Sequence, residues 1–162
     1  MRKHPSARVS VSINAQDTLC KDVCQRSCIE ACGLLLGHID DHGNWHIERA
    51  HPLRNICNSP VYFEFAPEDL LAAELDYPNE IVGVYHSHPT GLAVASSTDR
   101  DNMKRVNQEE LIPWVWLIIS GPFNGTFKLQ GGQVKGSPIV AYHHYDDLGL
   151  CQIMVQFEEA LA

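Results

Sequence analysis

The sequence predicts an α/β domain of the mixed α+β type, a mixed β-sheet flanked by helices, and three observations carry that reading. Short apolar runs such as Ile81–His86 and Trp114–Ser120 have the length and composition of interior strands. Segments with helix-start signals lie between them, without the regular strand–helix–strand alternation of a parallel fold. The chain of 162 residues, 44% of them hydrophobic, suits a single domain over 1–162 with a sizeable core.

Taken in order, Val9–Ile13 alternates apolar and polar residues as a short strand does, and Asn14 or Asp17 can cap a helix running to about Glu30. Ala31–Gly37, reading ACGLLLG, is a compact apolar strand, and a turn at Asp40–Asn44 leads into a hairpin strand at Trp45–Ala50. Val61–Phe65 alternates again. Pro67 suits the first position of a helix over Glu68–Leu75, with acids in its first turn. After the interior strand Ile81–His86, the polar stretch Asp99–Glu110 reads as a solvated helix and Trp114–Ser120 as a buried strand. Thr126–Gln130 and Ile139–Tyr145 read as edge or hairpin strands. The stretch after Lys135 carries no motif, and is either a final strand pair or a partner-binding edge.

Twelve basic against twenty acidic residues give a net charge of −8, with no overall basic field to attract a nucleic acid. The longest near-continuous apolar run, Leu111–Ile119, is nine residues, against the roughly 20 of a spanning helix, so no membrane segment is expected. The opening MRKHPSARVS has no apolar signal core, which points to the cytoplasm. The six cysteines are then expected to be reduced. Cys20, Cys24, Cys28 and Cys32 recur every fourth residue as on a helix stripe, but such a stripe spreads over about 18 Å, too far for one ion, so they read as small buried hydrophobes.

The chemistry gathers in HSHPTGLAVASSTD, His86 to Asp99. Strand residues two apart face the same way, so His86 and His88 can converge while Ser87 faces the other side. Pro89 ends the strand, and the chain can then return Asp99 to the pair. Two imidazoles and one carboxylate suit a catalytic zinc with an open position, which lowers the pKa of a bound water to about 7. Iron or manganese would accept the same donors. A base must still take that water's proton, and Glu30, at the entry to the ACGLLLG strand, is in position if that strand neighbours the one ending in His86. Bland alternatives exist: His-x-His arises by chance, and Ser96-Ser97-Thr98-Asp99 also reads as a helix capping box.

The joint pattern is Glu30 in an EACGLLLG context, then His86-Ser87-His88, seven residues, Ser96, two residues and Asp99. It resembles the signature of the JAMM (MPN-plus) metalloprotease family, over roughly Val9 to Gln130. The resemblance implies a single MPN/JAB domain related in shape to cytidine deaminases, with one zinc held by His86, His88 and Asp99. It implies that Glu30 is the general acid/base and that Ser96 stabilises the oxyanion. The compact length is similar to prokaryotic members of the CysO-cysteine peptidase type, which process the C-terminus of a ubiquitin-like sulfur-carrier protein. The alternative within the family is deconjugation of ubiquitin-like modifiers, as by desampylases or antiphage conjugation systems. A non-catalytic MPN scaffold is the alternative class, although such domains usually lack a ligand or the glutamate. Either substrate would present a Gly-rich tail, and Asn55, Phe63 and Phe65 fall where they could line its groove, unless the two Phe are core residues.

Overall fold

The computed structural model describes residues 6–124, 127, 129 and 138–159. Seven strands among them, β1 (Arg8–Val11), β2 (Cys32–Ile39), β3 (Trp45–Leu53), β4 (Ile81–His88), β5 (Val115–Ser120), β6 (Ile139–Tyr145) and β7 (Gly149–Phe157), form one mixed sheet. Its order is β1-β3-β2-β4-β5-β6-β7, and it closes because β1 also pairs with β7. The expected mixed sheet is therefore a closed barrel, parallel at β1–β3, β1–β7 and β4–β5 and antiparallel elsewhere.

Period-2 alternation sorts the apolar side chains onto two cores. One draws Val9, Leu35, Ile47, Tyr85, Leu117, Ala141 and Val155 from all seven strands' shared side and is covered by helix α1 (Ile13–Gln25) through Ala15, Leu19 and Val23. The other packs Leu34, Val84, Trp116 and Ile118 against Ala73 of helix α2 (Pro67–Asp76) and Met103 of helix α3 (Ser97–Lys104). His86 shares the face of Val84, so β4 delivers it to the side carrying α2 and α3.

Several expectations are corrected. Helix α1 ends at Gln25, short of Glu30: Arg26 leaves the helical conformation at φ −112°, ψ 48°, while its guanidinium chelates Asp22 at 2.7 Å and donates to the Leu53 and Cys32 carbonyls, tying the end of the helix to the start of β2. The cysteine stripe is therefore broken: Cys20 and Cys24 are half-buried on α1, Cys28 is exposed, and Cys32 is buried in β2, all of them free thiols. Val61–Phe65 is not a strand. Its amides and carbonyls bond within their own loop, Glu64 N–H to Asn55 Oδ1 and Ile56 N–H to the Glu64 carbonyl. The segment after Asp99 starts its helix at Ser97, passes into a wider π-helical turn over Arg105–Glu109, and buries Asp99, Met103 and Val106. Thr126–Gln130 lies largely outside the described residues. The stretch after Lys135 supplies a strand pair, β6 and β7. No helix among the described residues is long and apolar enough to cross a membrane.

Candidate metal centre

Strand alternation brings His86 and His88 to one face of β4, and their Nε2 atoms lie 3.1 Å apart. Beyond Pro89 the chain loops back, tied by Ser120 Oγ donating to the Gly91 carbonyl and by Ala95 N–H donating to the Tyr142 hydroxyl. Ser96 then caps α3 in a complete capping box: its Oγ accepts from the Asp99 amide at 3.1 Å, and Asp99 Oδ2 accepts from the Ser96 amide at 3.0 Å. The box orients the Asp99 carboxylate, whose Oδ2 stands 3.3 Å from Nε2 of both histidines. The capping and the ligand readings of Ser96-x-x-Asp99 thus coexist in one geometry.

Three donor atoms 3.1–3.3 Å apart fit a single small ion. Ligands at about 2.0–2.1 Å around a tetrahedral zinc sit roughly 3.3–3.4 Å from one another. His88 Nδ1 lies 2.8 Å from the Leu92 carbonyl, which takes its proton and turns a lone pair at Nε2 toward the cluster. His86 Nδ1 is buried without a partner among the described residues, so only the Nε2 edge of that ring is engaged. Burial lowers the His86 pKa and keeps the ring neutral, as a ligand must be. Burial also opposes a charge on Asp99, yet hydrogen bonding to His86 and His88 outweighs it and holds the carboxyl well below the usual range. His88 is pulled down by burial and raised more strongly by Asp99, the Leu92 carbonyl and Glu30.

Glu30 reaches the same centre by sheet register. Cys32 of β2 pairs with His86 of β4 in antiparallel fashion, and continuing that register two residues sets Glu30 opposite His88. Its carboxylate comes within 4.8 Å of the imidazole nitrogens. Glu30 is also buried, and desolvation pushes its pKa up to about 7, with the His88 charge opposing and the Asp99 charge adding. A carboxyl near neutrality can both accept and return a proton. Glu30, Ser96 and Asp99 line one crevice with Phe63 and Tyr62. The Ser96 hydroxyl spends one lone pair on the cap, and its O–H remains available to donate.

Ser87, which had no expected role, and Phe63, expected to line a groove or fill the core, both organise this centre. Ser87, between the histidines, accepts at Oγ from the Ala31 amide at 2.8 Å and returns its own N–H to the Ala31 carbonyl. A side chain facing away from the metal face thereby anchors the residue next to Glu30. Phe63 stacks on the His86 ring at 4.6 Å between centroids, contacts Phe65 and packs against the second core, so it covers the centre from the edge of that core. Beyond Phe63 opens a cavity of about 380 Å³ between the 61–65 segment, α2 and α3, with Trp114 and Trp116 in its wall. The spacing of Phe63 and Phe65 is legible in the sequence; the placement of Phe63 over a histidine depends on contacts distant in sequence.

The sequence matches the family model of prokaryotic homologs of the JAB domain over residues 13–130. It is 36% identical over 101 residues to a desampylase of Pyrococcus furiosus, covering 60% of this chain and 64% of that protein. It is 33% identical over 104 residues to a desampylase of Haloferax volcanii, covering 59% of this chain and 73% of that protein. The chain thus spans just under two thirds of the first relative. The solution structure of a Desulfitobacterium hafniense protein superposes with a TM-score of 0.69 over 94% of each chain at 23% identity, a likeness of fold.

Proposed function

Because the chain belongs to the prokaryotic JAB family, we propose that it is a metal-dependent isopeptidase that releases a ubiquitin-like modifier from protein conjugates. The observation that carries the reading is the convergence of His86, His88 and Asp99 to within 3.3 Å beside a buried Glu30 whose pKa is about 7. A non-catalytic scaffold has no need of that complete set. The desampylase relatives favour deconjugation over the trimming of a sulfur-carrier protein, the reading that compact length had put first.

His86 and His88 through Nε2 and Asp99 through Oδ2 would hold the ion, with zinc favoured by two imidazoles and one carboxylate. When bound, zinc supplies Lewis acidity toward the scissile carbonyl and a nucleophilic water near neutral pH. Glu30 takes a proton from the attacking water and delivers it to the departing lysine amine, so one water is consumed and a carboxylate and an amine are released. The Ser96 hydroxyl donates to the carbonyl oxygen as negative charge develops there. Phe63 and the loop below it shield His86 from bulk water.

The test compares an isopeptide-linked conjugate of a ubiquitin-like protein with a linear C-terminal extension of the same protein. Cleavage of the conjugate that needs zinc and disappears in Glu30→Gln supports the proposal. Cleavage of the linear extension alone would return the weight to sulfur-carrier processing.

A further inference from the structure

Glu30 belongs to no helix or strand, so no regular ladder holds the residue on which the proposed reaction turns. Its backbone is seated elsewhere: the Glu30 N–H donates to the Ser59 carbonyl at 2.8 Å, and the Glu30 carbonyl accepts from Asn55 Nδ2 at 3.1 Å. Both partners belong to the 55–64 loop. Asn55 is 4% exposed and uses its whole amide. Nδ2 also donates to the Tyr62 carbonyl at 2.8 Å, while Oδ1 accepts from the Cys57 and Glu64 amides at 3.0 and 3.2 Å. Two carbonyls on one side and two amides on the other leave a single orientation for the side chain.

We propose that Asn55 is a positioning residue for the reaction, joining Glu30 and the Phe63-bearing loop into one unit seated over His86. The inference rests on the reading of Glu30 as the proton-handling group. Asn55 is too buried to line the groove that its sequence position suggested; it acts through the Glu30 peptide on one side and the loop backbone on the other. Aspartate, glutamine and serine cannot reproduce it, since four bonds of two polarities meet within the reach of one short amide. A carboxylate in its place keeps the acceptor for Cys57 and Glu64 but faces the Glu30 and Tyr62 carbonyls with no donor.

That asymmetry supplies the test. Asn55→Asp is nearly isosteric and preserves half of the network, so it separates positioning from loop folding, with Asn55→Ala as the harsher companion. In zinc-loaded Asn55→Asp the expected result is a kcat lower by about 100-fold, the scale on which a displacement of about 1 Å acts. KM and zinc content stay close to wild type, while Tm falls because a buried carboxylate now faces two carbonyls, so kcat is measured well below the Tm of the variant. Amide exchange read by NMR should accelerate at Glu30 and remain unchanged along β4. Wild-type kcat, or a kcat loss matched by loss of zinc, or an unchanged Glu30 amide, each overturns the proposal. If wild-type protein cleaves no conjugate, that result counts against the isopeptidase reading, and the Glu30 amide alone decides for or against the role of Asn55.

Discussion

A carboxyl held near pKa 7 by burial, a few ångströms from two imidazoles, is the residue on which the proposed chemistry depends. Glu30→Gln keeps the shape and removes the proton acceptor. Turnover is expected to fall on the order of 100- to 10,000-fold while metal analysis still finds one zinc per chain. Asp99 closes the capping box of α3 and is the proposed anionic ligand, and one substitution can separate the two. In Asp99→Asn the amide oxygen can still accept from the Ser96 N–H and keep the cap, but the anionic donor is lost, so the protein should fold and fail to retain stoichiometric zinc. Both variants are read by elemental analysis beside activity, so loss of metal and loss of the base are distinguishable.

Helix α3 begins on the residue that the proposed reaction uses as a donor. A serine N-cap is worth about 1 kcal/mol against alanine and only a few tenths against glycine. Ser96→Gly therefore leaves the cap geometry nearly intact while deleting the hydroxyl. Its stability in urea should match wild type closely, and its turnover should fall about 100- to 1,000-fold. If turnover instead follows the small stability change, Ser96 is a cap alone. Strand β2 shows how tightly the elements around the centre are fitted: a Cβ on Gly33 would run into the His51 carbonyl oxygen and the Tyr85 ring, so the β2–β3–β4 junction that sets Glu30 opposite His88 closes only without a side chain there. The 55–64 loop achieves its order without joining the sheet. Asn55 supplies the loop with bonds of the kind that a neighbouring strand would otherwise give.

Across the whole molecule, α1 is fastened to the barrel by a buried polar chain. Tyr85 donates its hydroxyl to Asp22 Oδ2 at 2.6 Å, and Asp22 is chelated by Arg26, which bonds the Leu53 and Cys32 carbonyls flanking the entrance to β2. Burial, then the Asp22 charge, raises the Tyr85 pKa well above 10.0. Above the unfolded value of about 10 the unfolded chain releases this proton and the folded chain keeps it, so stability falls as pH rises. Below that pH the contribution is constant. The urea midpoint should therefore drop from pH 10 upward, and Tyr85→Phe should show a shallower drop. The proposed metal would couple to the whole fold as well, because an ion bound only to the folded chain stabilises it by mass action. Chelation should lower Tm in wild type and leave Asp99→Asn unmoved.

Local physics made much of this legible. Alternation along a strand put His86 and His88 on one face, and N-cap chemistry joined Ser96 to Asp99, because both relations span only two or three residues. The spacing of five chemistry-bearing positions carried the family resemblance, and the family match agrees with it. The mixed α+β class and most strands were readable for the same reason. Tertiary structure decided what depends on distant partners: the β2–β4 register that sets Glu30 opposite His88, the early end of α1 at the Arg26 chelate, the closure of the sheet, and the use of Ser87 and Asn55 as anchors. Val61–Phe65 shows the division most plainly, since its alternation satisfies a strand pattern equally well with or without a neighbour, and only the tertiary structure pairs its backbone with the Asn55 side chain, a partner outside the pattern, in place of a strand.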